Sequence, residues 1–400
     1  MMKKLLSILL CAAMLFSLAA CGGAPASSGA AASGSAAEGG TQVNNAGQVI
    51  TQYGADEVHT DKEMPPFKIL VTYASFTDKL GSQYKSSLEY LGKALNIEFT
   101  FVESGMGEDA RTIIEAALVN KPDAWIANTC SVADVKAAAD AGNIPYVSCG
   151  TIFASDEVAQ EMATYDNFLG VIAVDDYAAG SSAADALYED GCRNVLLCGI
   201  QKGASGQHDQ RALGFLDGVA THEDMKLLGE DYSMLQFAEA ITSFAATYPE
   251  LDGVFCTLVN EAIYNTFTTE DLVGSVRLGG LDVSESTGAY FDNGTLSYMA
   301  AGNYVTNMLG FAVVYNYLLD GTRIVDDPAE IVKWNNINLR NSEDYNNYIT
   351  YLDAGTPAYT AAEIMDMVHY YNEDMTPAAF RALGEAYTLE DVMARHKDLQ

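Results

Sequence analysis

Apolar runs of strand length alternate along most of the chain with segments whose apolar residues recur at helical spacing. Residues 67–73 form a run typical of a buried strand, and residues 79–95 carry apolar side chains on one side of a predicted helix. The alternation continues with strands predicted at 97–102, 124–127, 144–147 and 168–174 and helices predicted at 110–119 and 131–141. Such an order predicts a parallel sheet covered by helices on both faces.

The same alternation restarts after Asp175. It predicts helices at 177–189, 209–220, 234–247, 261–268 and 285–292, and strands at 194–198, 226–228, 253–256 and 276–281. Residues 294–300 then lead into a helix predicted at 305–319 and a last strand near 330–337, whereas residues 341–400 predict helices only. We therefore expect an α/β fold with two doubly wound parallel sheets of similar size, followed by a helical C-terminal extension.

The first twenty residues have the pattern of an export signal. Lys3 and Lys4 precede an apolar stretch at 5–18, and small residues lead to Cys21. The apolar stretch is short for a membrane span, which needs roughly 20 residues. Cys21 stands where a bacterial lipoprotein carries its lipidated cysteine, and the pattern resembles a lipobox. We expect a lipoprotein signal peptide over residues 1–20 and a lipid anchor at Cys21 on the outer face of the cell membrane, with an ordinary cleaved signal as the alternative.

Residues 21–64 predict a flexible stalk. Ala, Gly and Ser dominate residues 22–50, so this part of the chain buries too little apolar surface to offset its ordering entropy. A stalk of this composition would hold the folded part away from the lipid surface. A low-complexity segment without a spacing role is the alternative, and neither interpretation makes the segment part of the fold.

The charge of the chain excludes some partners. With 54 acidic against 21 basic residues, its formal net charge is −33. Nucleic acid and anionic lipid surfaces are therefore poor partners. We interpret the charge as a means of keeping an exposed protein soluble, with a dedicated cationic partner as the other reading.

Cysteine and histidine usage predicts neither a disulfide framework nor a metal site. Beyond Cys21 an odd number of cysteines remains, each in or beside an apolar run, where free Cys behaves as a small hydrophobe. The five histidines show no metal-ligand spacing with them. These cysteines are Cys130, Cys149, Cys192, Cys198 and Cys256.

The residues that directly follow the predicted strands nominate a ligand site. In open α/β sheets, ligands bind outside the carboxyl ends of the strands. Amide, carboxylate and guanidinium groups at these positions suit an uncharged, polyhydroxylated ligand, because hydroxyls both donate and accept hydrogen bonds. Helix capping by Asp176 or Asp282, a turn closed by Asn128 and a core position for Phe76 are the alternatives. The nominated residues are Tyr73, Ser75, Phe76, Asn128, Thr129, Ser148, Gly150, Asp175, Asp176, the loop 199–208, Asp209, Arg211, Thr257, Asn260 and Asp282.

Five motifs in order along the chain carry a family resemblance. They are Ala141-Gly142-Asn143-Ile144-Pro145-Tyr146-Val147, Asp176-Tyr177-Ala178-Ala179-Gly180, Arg211-Ala212-Leu213-Gly214-Phe215, Gly280-Leu281-Asp282 and Asn293-Gly294-Thr295-Leu296. With these motifs the sequence resembles type I periplasmic binding proteins of the ribose and galactose kind, the solute-binding components of ABC importers, from about residue 67 to about residue 339.

The resemblance implies which residues contact the ligand. The family's ligand-contacting positions correspond to Asn128, Arg211 and Asp282 in this sequence, and Asp176 matches the acidic position beside the first crossover between the lobes. Elsewhere the sequence departs from the family. The family's Asp-Arg pair after the Ile-Pro strand is replaced by Gly150-Thr151, and its Asn-Asp pair by Leu258-Val259. The Gln that the family carries in a crossover corresponds to Gly302, which lies beside Asn303. Of the two aromatic residues that the family has near its first helix, this sequence offers only Phe76, which is out of register. The fold therefore transfers, whereas the identity of the sugar does not.

The family resemblance also implies the domain arrangement and the partners. Two lobes joined by three crossovers would close on the ligand by hinge bending. Lobe 1 would comprise residues 65–173 with 303–332, lobe 2 residues 174–302 with 333–340, and residues 341–400 a helical brace. We expect a monomer that binds a small polar solute, most simply a sugar, and an ABC permease.

Three other functions were weighed against solute capture. No nucleotide-binding Gly-x-Gly-x-x-Gly follows a strand, the loop Gly203-Ala204-Ser205-Gly206 lacks a nucleophile-elbow pattern, and His208 is a lone candidate base, so we expect neither catalysis nor a cofactor. A sensor lipoprotein that presents its solute to a membrane receptor or kinase uses the same fold and stays open. A transcription repressor of this fold is disfavoured, because the chain has an export signal and lacks an N-terminal helix-turn-helix.

Overall fold

The structure is a computed structural model that describes residues 42–43, 49–50, 58, 60–105, 109–233, 236–353 and 357–397. The predicted signal peptide, Cys21 and most of the predicted stalk lie outside the described residues. The strands are β1 (Gln42–Val43), β2 (Val49–Ile50), β3 (Phe67–Tyr73), β4 (Ile97–Glu103), β5 (Ala124–Ala127), β6 (Tyr146–Cys149), β7 (Phe168–Val174), β8 (Asn194–Cys198), β9 (Lys226–Asp231), β10 (Gly253–Cys256), β11 (Arg277–Leu281), β12 (Leu296–Ala301), β13 (Ile331–Trp334) and β14 (Ile337–Leu339).

The α-helices alternate with these strands as far as β12 and then dominate the C-terminal part. They are α1 (Lys79–Leu95), α2 (Ala110–Leu118), α3 (Val132–Asp140), α4 (Asp156–Met162), α5 (Asp176–Glu189), α6 (Gly206–Thr221), α7 (Phe237–Thr247), α8 (Glu261–Thr269), α9 (Thr287–Asp292), α10 (Val305–Asp320), α11 (Ser342–Tyr348), α12 (Ala361–Asp366), α13 (Pro377–Ala386) and α14 (Leu389–His396). A π-helical turn, Ile349–Asp353, continues α11.

Sheet 1 is six-stranded and entirely parallel, in the order β13-β7-β6-β5-β3-β4. Helices α1 and α10 pack on one face, while α2, α3 and α4 cover the other. The three fully buried rings of Trp125, Tyr146 and Phe168 lie side by side in that second layer, with centroids 4.7 and 5.5 Å apart. We call sheet 1 with these five helices lobe 1.

Sheet 2 has the order β14-β12-β11-β10-β8-β9 and is parallel except at its β14 edge. Helices α5 and α6 pack on one face, and α7, α8 and α9 on the other. We call sheet 2 with these five helices lobe 2. A central strand buried on both faces reads as a continuous apolar run, which is why β8 and β10 could be found from the sequence.

The chain passes between the two sheets after β7, after β12 and between β13 and β14. In both lobes the carboxyl ends of the parallel strands face the gap between the lobes, and we call this gap the cleft. The carboxyl end of β13 lies at the cleft, so a strand that enters sheet 2 directly from that point starts at the cleft and runs away from it. The single strand expected near 330–337 is therefore two short strands in different sheets, and β14 is antiparallel to β12.

The C-terminal extension is helical, as expected, and packs on both lobes. Helix α11 lies against α9 and β14 of lobe 2, whereas α12 contacts α1 and α10 and α13 contacts β13 of lobe 1. Within the extension, the half-buried Glu363 carboxylate accepts hydrogen bonds from Arg395 Nη1 and the Thr360 amide at 2.6 and 2.7 Å. The predicted fold class, two α/β sheets with a helical C-terminal region, is confirmed.

Two further findings concern the described residues alone. Cys130, Cys149, Cys192, Cys198 and Cys256 are free thiols, four of them fully buried. Within the described part of the chain, no helix combines the length and the apolar character that a membrane crossing requires.

Candidate functional site

A buried ion pair forms the centre of the lobe 2 side of the cleft. Arg211 Nε donates to Asp176 Oδ1 at 2.7 Å, and Arg211 Nη1 donates to the Thr257 carbonyl oxygen at 2.9 Å. The two residues are 6% and 4% exposed, so both charges are largely removed from water. Two fixed acceptors therefore hold the guanidinium in one orientation before any ligand arrives.

Two glycines bring Arg211 to Asp176. Asp176 is the first residue of α5, and Arg211 lies in the second turn of α6. The two helices cross closely where Gly180 faces the Arg211 backbone and Gly214 faces Tyr177. A Cβ on Gly180 would overlap the Arg211 carbonyl oxygen, and one on Gly214 would overlap the Tyr177 carbonyl oxygen. Only a residue without a side chain permits this approach.

Asp282 and Asn303 continue the wall. Asp282 directly follows β11 with φ +78°, a left-handed conformation that Asp and Asn tolerate better than most residues. Asn303, in the second crossover, donates from Nδ2 to Asp282 Oδ1 at 3.4 Å. Among the described residues, the buried Oδ1 of Asn303 has no protein partner. The pair therefore offers a carboxylate and an amide oxygen as hydrogen-bond acceptors.

The lobe 1 side of the cleft is lined by neutral amides and hydroxyls around Gly150, whereas the charged Asp78 and Lys79 lie at its edge. Asn307 Nδ2 donates to Asn128 Oδ1 at 3.1 Å, and Asn128 Nδ2 donates to the Thr72 carbonyl oxygen at 2.9 Å. The Tyr84 hydroxyl shares a hydrogen bond with Thr306. These groups converge on Gly150, where a Cβ would lie 3.2 Å from the Tyr84 oxygen, 3.7 Å from Thr306 Oγ1 and 3.9 Å from Asn128 Oδ1. A glycine at φ +73° thus leaves room among three polar side chains.

The two walls lie close enough to interact. Burial raises the pKa of Tyr84 in lobe 1, and the charge of Asp282 in lobe 2 adds a smaller contribution in the same direction. At another point the lobes touch directly, since a Cβ on Gly206 at the start of α6 would lie 2.8 Å from a side-chain carbon of Ile152. The polar groups of both lobes therefore face one shared cleft.

Burial sets the protonation behaviour of the cleft. It raises the pKa of Asp176 and of Asp282, and the Arg211 guanidinium opposes the rise in both. Burial, helped by the Arg211 charge, lowers the pKa of His208 to about 2. The neutral imidazole shares a hydrogen bond with Thr257, its Nδ1 lying 3.0 Å from the hydroxyl oxygen. His208 thus helps to fix the residue that accepts from Arg211.

Five of the six predicted ligand contacts lie in this cleft. The structure brings together Asp176, Arg211, Asp282 and Asn303 on one wall and places Asn128 on the other. Phe76 does not join them. Its ring packs edge-on against Phe101 at 5.2 Å and its amide donates to Glu103 Oε1 at 2.7 Å, so it belongs to an aromatic cluster of lobe 1. The side chain that caps α5 is that of Asp175, which accepts from the Ala178 amide, whereas Asp176 pairs with Arg211. The nominated Asn260 caps α8.

Sequence reasoning missed three polar groups of lobe 1. Tyr84 lies on the apolar side of the helix predicted over 79–95, so the sequence does not nominate it, although its hydroxyl reaches the cleft. Thr306 and Asn307 lie in the first turn of α10, where the sequence predicts a helix over 305–319 and nominates no ligand contact. A signal for Asn307 did exist, because an amide in the first turn of a fully buried helix needs a partner.

No cluster of three or more His, Cys, Asp or Glu side chains suited to a metal ion occurs among the described residues. The donors of the cleft are a guanidinium, amides and hydroxyls, and its acceptors are carboxylates and amides. Such a mixture pairs with hydroxyl groups, each of which gives one hydrogen and accepts others.

Comparison with known proteins agrees with this geometry. Residues 73–268 match the family described as periplasmic binding proteins and sugar binding domain of LacI family. A solute-binding protein of an ABC transporter from Agrobacterium vitis, solved with bound alpha-D-tagatopyranose, superposes with TM-score 0.60 at 20% identity, covering 72% of this chain and 97% of its own. Its counterpart from Actinobacillus succinogenes with bound D-allose gives TM-score 0.61 at 17% identity, with 70% and 99% covered.

A carbohydrate transporter protein from Acidothermus cellulolyticus in complex with myo-inositol gives TM-score 0.59 at 16% identity, covering 73% of this chain and all of its own. No curated protein sequence matches the chain. The chain has the fold of the type I periplasmic binding proteins, and its residues 73–268 match the model of that family. The resemblance stated from the sequence motifs is confirmed.

Proposed function

We propose that the protein is an extracytoplasmic solute-binding lipoprotein, not an enzyme, that captures a sugar or similar small polar solute between its lobes and delivers it to an ABC importer. The observation that carries the proposal is the pairing of a preorganised ion pair, Arg211 with Asp176, and the Asp282 carboxylate on one wall with neutral amides and hydroxyls on the other. Solved neighbours of the same fold hold tagatose, allose and myo-inositol.

The donor and acceptor balance favours an uncharged, hydroxyl-rich ligand. Asp176 already compensates the charge of Arg211, so an anionic ligand would have to compete with a buried carboxylate for the guanidinium. A neutral hydroxyl can instead accept from Arg211 while it donates to Asp282 or to Asn303 Oδ1. Hydrogen bonds to charged groups contribute about 1.5–3 kcal/mol each, so a few of them suffice for micromolar binding.

A thermal-shift screen of the mature protein tests the proposal. Candidates are D-allose, D-fucose, myo-inositol, further monosaccharides, oligosaccharides, nucleosides and polyols. A ligand that binds the native state alone stabilises it by about 2.7 kcal/mol at one hundred times its Kd, so the melting temperature must rise. The Asp282→Asn variant is the matched control, because it keeps the fold and loses a carboxylate. If no compound raises the melting temperature, or if the variant responds as the wild type does, the proposed site is wrong.

The lipid anchor belongs to the same proposal and has its own test. Cys21→Ser removes the thiol that a diacylglycerol would modify. We expect the full-length protein to sediment with membranes and the variant to leave them, with unchanged binding in the solute screen. Equal membrane association of both proteins would contradict the anchor without touching the solute-binding function.

A further inference from the structure

Residues 341–353, which comprise α11 and the π-helical turn after it, run from one lobe to the other, and we call them the strap. The strap starts on lobe 2. The ring of Tyr345 covers Gly288 in the first turn of α9, where a Cβ would lie 2.7 Å from a ring carbon. The Ser342 hydroxyl donates to Asp292 at the end of the same helix. Because β14 directly precedes the strap, this end moves with sheet 2.

The other end of the strap reaches lobe 1. Asp353 Oδ2 pairs with Lys79 Nζ at 2.8 Å, and Asp353 Oδ1 accepts from Gln83 Nε2 at 2.6 Å. Lys79 and Gln83 lie in the first two turns of α1, near the carboxyl end of β3, and therefore at the edge of the cleft. The Asp353 side chain is only 7% exposed, so its carboxylate is largely shielded from solvent, whereas the Lys79 side chain is 38% exposed.

The strap also lies next to the candidate site. The Tyr348 hydroxyl shares a hydrogen bond with Gln83, and Tyr348 is close enough to Asp282 for that charge to add to the rise in its pKa, after burial and Asp353. Burial raises the pKa of Asp282, the Arg211 guanidinium opposes that rise, and the lobe 1 charges of Asp78 and, to a smaller extent, Lys79 act on the same carboxyl in opposite directions. The contacts of the strap therefore end on groups that surround a predicted ligand contact.

The strap adds a fourth connection to the three crossovers. Beyond it, α12 packs on α1 and α10 of lobe 1, so the chain changes lobes here once more. The three crossovers join the sheets at the hinge, where bending changes distances least. A connection from α9 to the start of α1 instead spans the cleft edge, which must widen when the lobes move apart.

We propose that the strap is a latch across the cleft, in which Asp353 holds Lys79 and Gln83 of lobe 1 while α11 stays on lobe 2. The latch limits how far the ligand-free lobes open, and it makes Asp353 a positioning residue that keeps Lys79 beside Asp282. A brace that only stabilises each lobe would leave the opening angle unchanged. A latch alters the population of the closed form, and with it the apparent affinity for any ligand that needs closure.

Small-angle X-ray scattering of the ligand-free protein tests the latch. Asp353→Ala removes both contacts with α1, and we expect its radius of gyration to exceed that of the wild type because the lobes open further. Arg381→Ala is the matched control, since Arg381 also ties the extension to the body of the protein through an ion pair, but its partners Asp326 and Glu330 both adjoin β13 of lobe 1. We expect its radius of gyration to stay at the wild-type value.

Lys79→Met and Asp353→Asn keep the measurement interpretable if Asp353→Ala folds poorly. Lys79→Met removes only the cation, and Asp353→Asn retains an acceptor for Gln83, so both should open the protein less than Asp353→Ala. Circular dichroism establishes that each variant is folded. A radius of gyration equal to the wild-type value in folded Asp353→Ala and Lys79→Met would overturn the latch.

This measurement needs no ligand, so its outcome is independent of the proposed solute-binding function. Where the screen has identified a sugar, calorimetry adds a second readout. Asp353→Ala should bind that sugar about threefold to tenfold more weakly, because its closed form is less populated. Unchanged affinity together with unchanged scattering would leave the strap a passive brace.

Discussion

The two walls of the cleft use different chemistry. Lobe 2 presents buried charges, Arg211, Asp176 and Asp282, fixed by a close helix crossing and by a backbone carbonyl. Lobe 1 presents neutral groups, Asn128, Asn307 and the Tyr84 hydroxyl, which bond to one another or to other neutral groups. A buried charge has to be compensated in the folded protein before a ligand binds, whereas a neutral amide can exchange its partner at little cost. Substitutions of the charged groups in lobe 2 should therefore change both the stability of the protein and its affinity for the ligand. Substitutions of the neutral groups in lobe 1 should change affinity with little effect on stability.

Arg211→Met should give the largest effect. It leaves the Asp176 carboxylate buried without its cation, which should lower the free energy of unfolding by about 3–5 kcal/mol. It also removes a charged donor from the site, so affinity for the sugar found in the screen should fall at least about tenfold. Urea unfolding and calorimetry measure the two losses.

The double variant Arg211→Met, Asp176→Leu separates these two losses. It replaces the ion pair by apolar side chains and should recover most of the stability, because neither charge is then left alone. Binding should stay lost. A double variant that recovers binding together with stability would show that the ion pair supports the fold and contacts no ligand.

Asp282→Asn should change binding and stability in opposite directions. The amide tolerates the left-handed backbone and keeps the shape, so affinity should fall about tenfold through loss of the charged acceptor. Burial raises the pKa of Asp282 in the folded protein, so its stabilising contribution is present below the ordinary pKa of an aspartate and is lost as the pH rises through the raised value. The variant, which cannot ionise, should melt no lower than the wild type at pH 7.

The same shift predicts a pH dependence of binding. As the pH falls through the raised pKa of Asp282, the carboxylate gains a proton and the wild type should bind more weakly, while Asp282→Asn should show a flatter profile. Titration calorimetry between pH 7 and mildly acidic pH measures both. Parallel profiles for the two proteins would remove Asp282 from the ligand contacts.

Asn128→Ala should have a moderate effect on binding, in keeping with a neutral wall. It removes one amide and leaves Asn307 Nδ2 without this acceptor, so affinity should fall about threefold to tenfold. The melting temperature should fall less than in Arg211→Met. A larger loss of stability than in Arg211→Met would invert the contrast between the lobes.

Tyr84→Phe should have the smallest effect. It removes a single hydroxyl from a ring that keeps its edge-on contact with Tyr73 at 5.1 Å. We expect a loss of affinity below about threefold and an unchanged pH profile. A tenfold loss of affinity would place Tyr84 among the main ligand contacts and would show that the lobe 1 wall contributes as much to binding as the lobe 2 wall.

Alternating periodicity was sufficient to predict the α/β architecture, because central strands buried on both faces stand out as apolar runs. The strand β3 was predicted with its observed bounds, and the helical extension was recognised as lacking a strand. The split of the last strand into β13 and β14 was not predictable. Local pattern says which residues are buried, whereas the sheet that a three-residue strand joins depends on distant parts of the chain.

The residues of the candidate site also differ in whether local sequence pattern could predict them. Groups that follow strands directly, such as Asp282, could be nominated by position, and so could Arg211 from its helix start. Tyr84 could not, because the apolar spacing of α1 places its ring on the core side and gives no sign of the hydroxyl at its tip. For Asn307 the sequence shows only that a buried amide needs a partner, and not that it faces the cleft. Phe76 shows the converse error, since an aromatic after a strand can turn into the core.

The close crossing of α5 and α6 makes the pocket dependent on two positions that no solute touches. A methyl group at Gly180 or Gly214 would push the helix starts apart and draw the guanidinium away from its carboxylate. Efforts to retune the specificity of this receptor are therefore free to vary the cleft lining, but should leave both glycines unaltered.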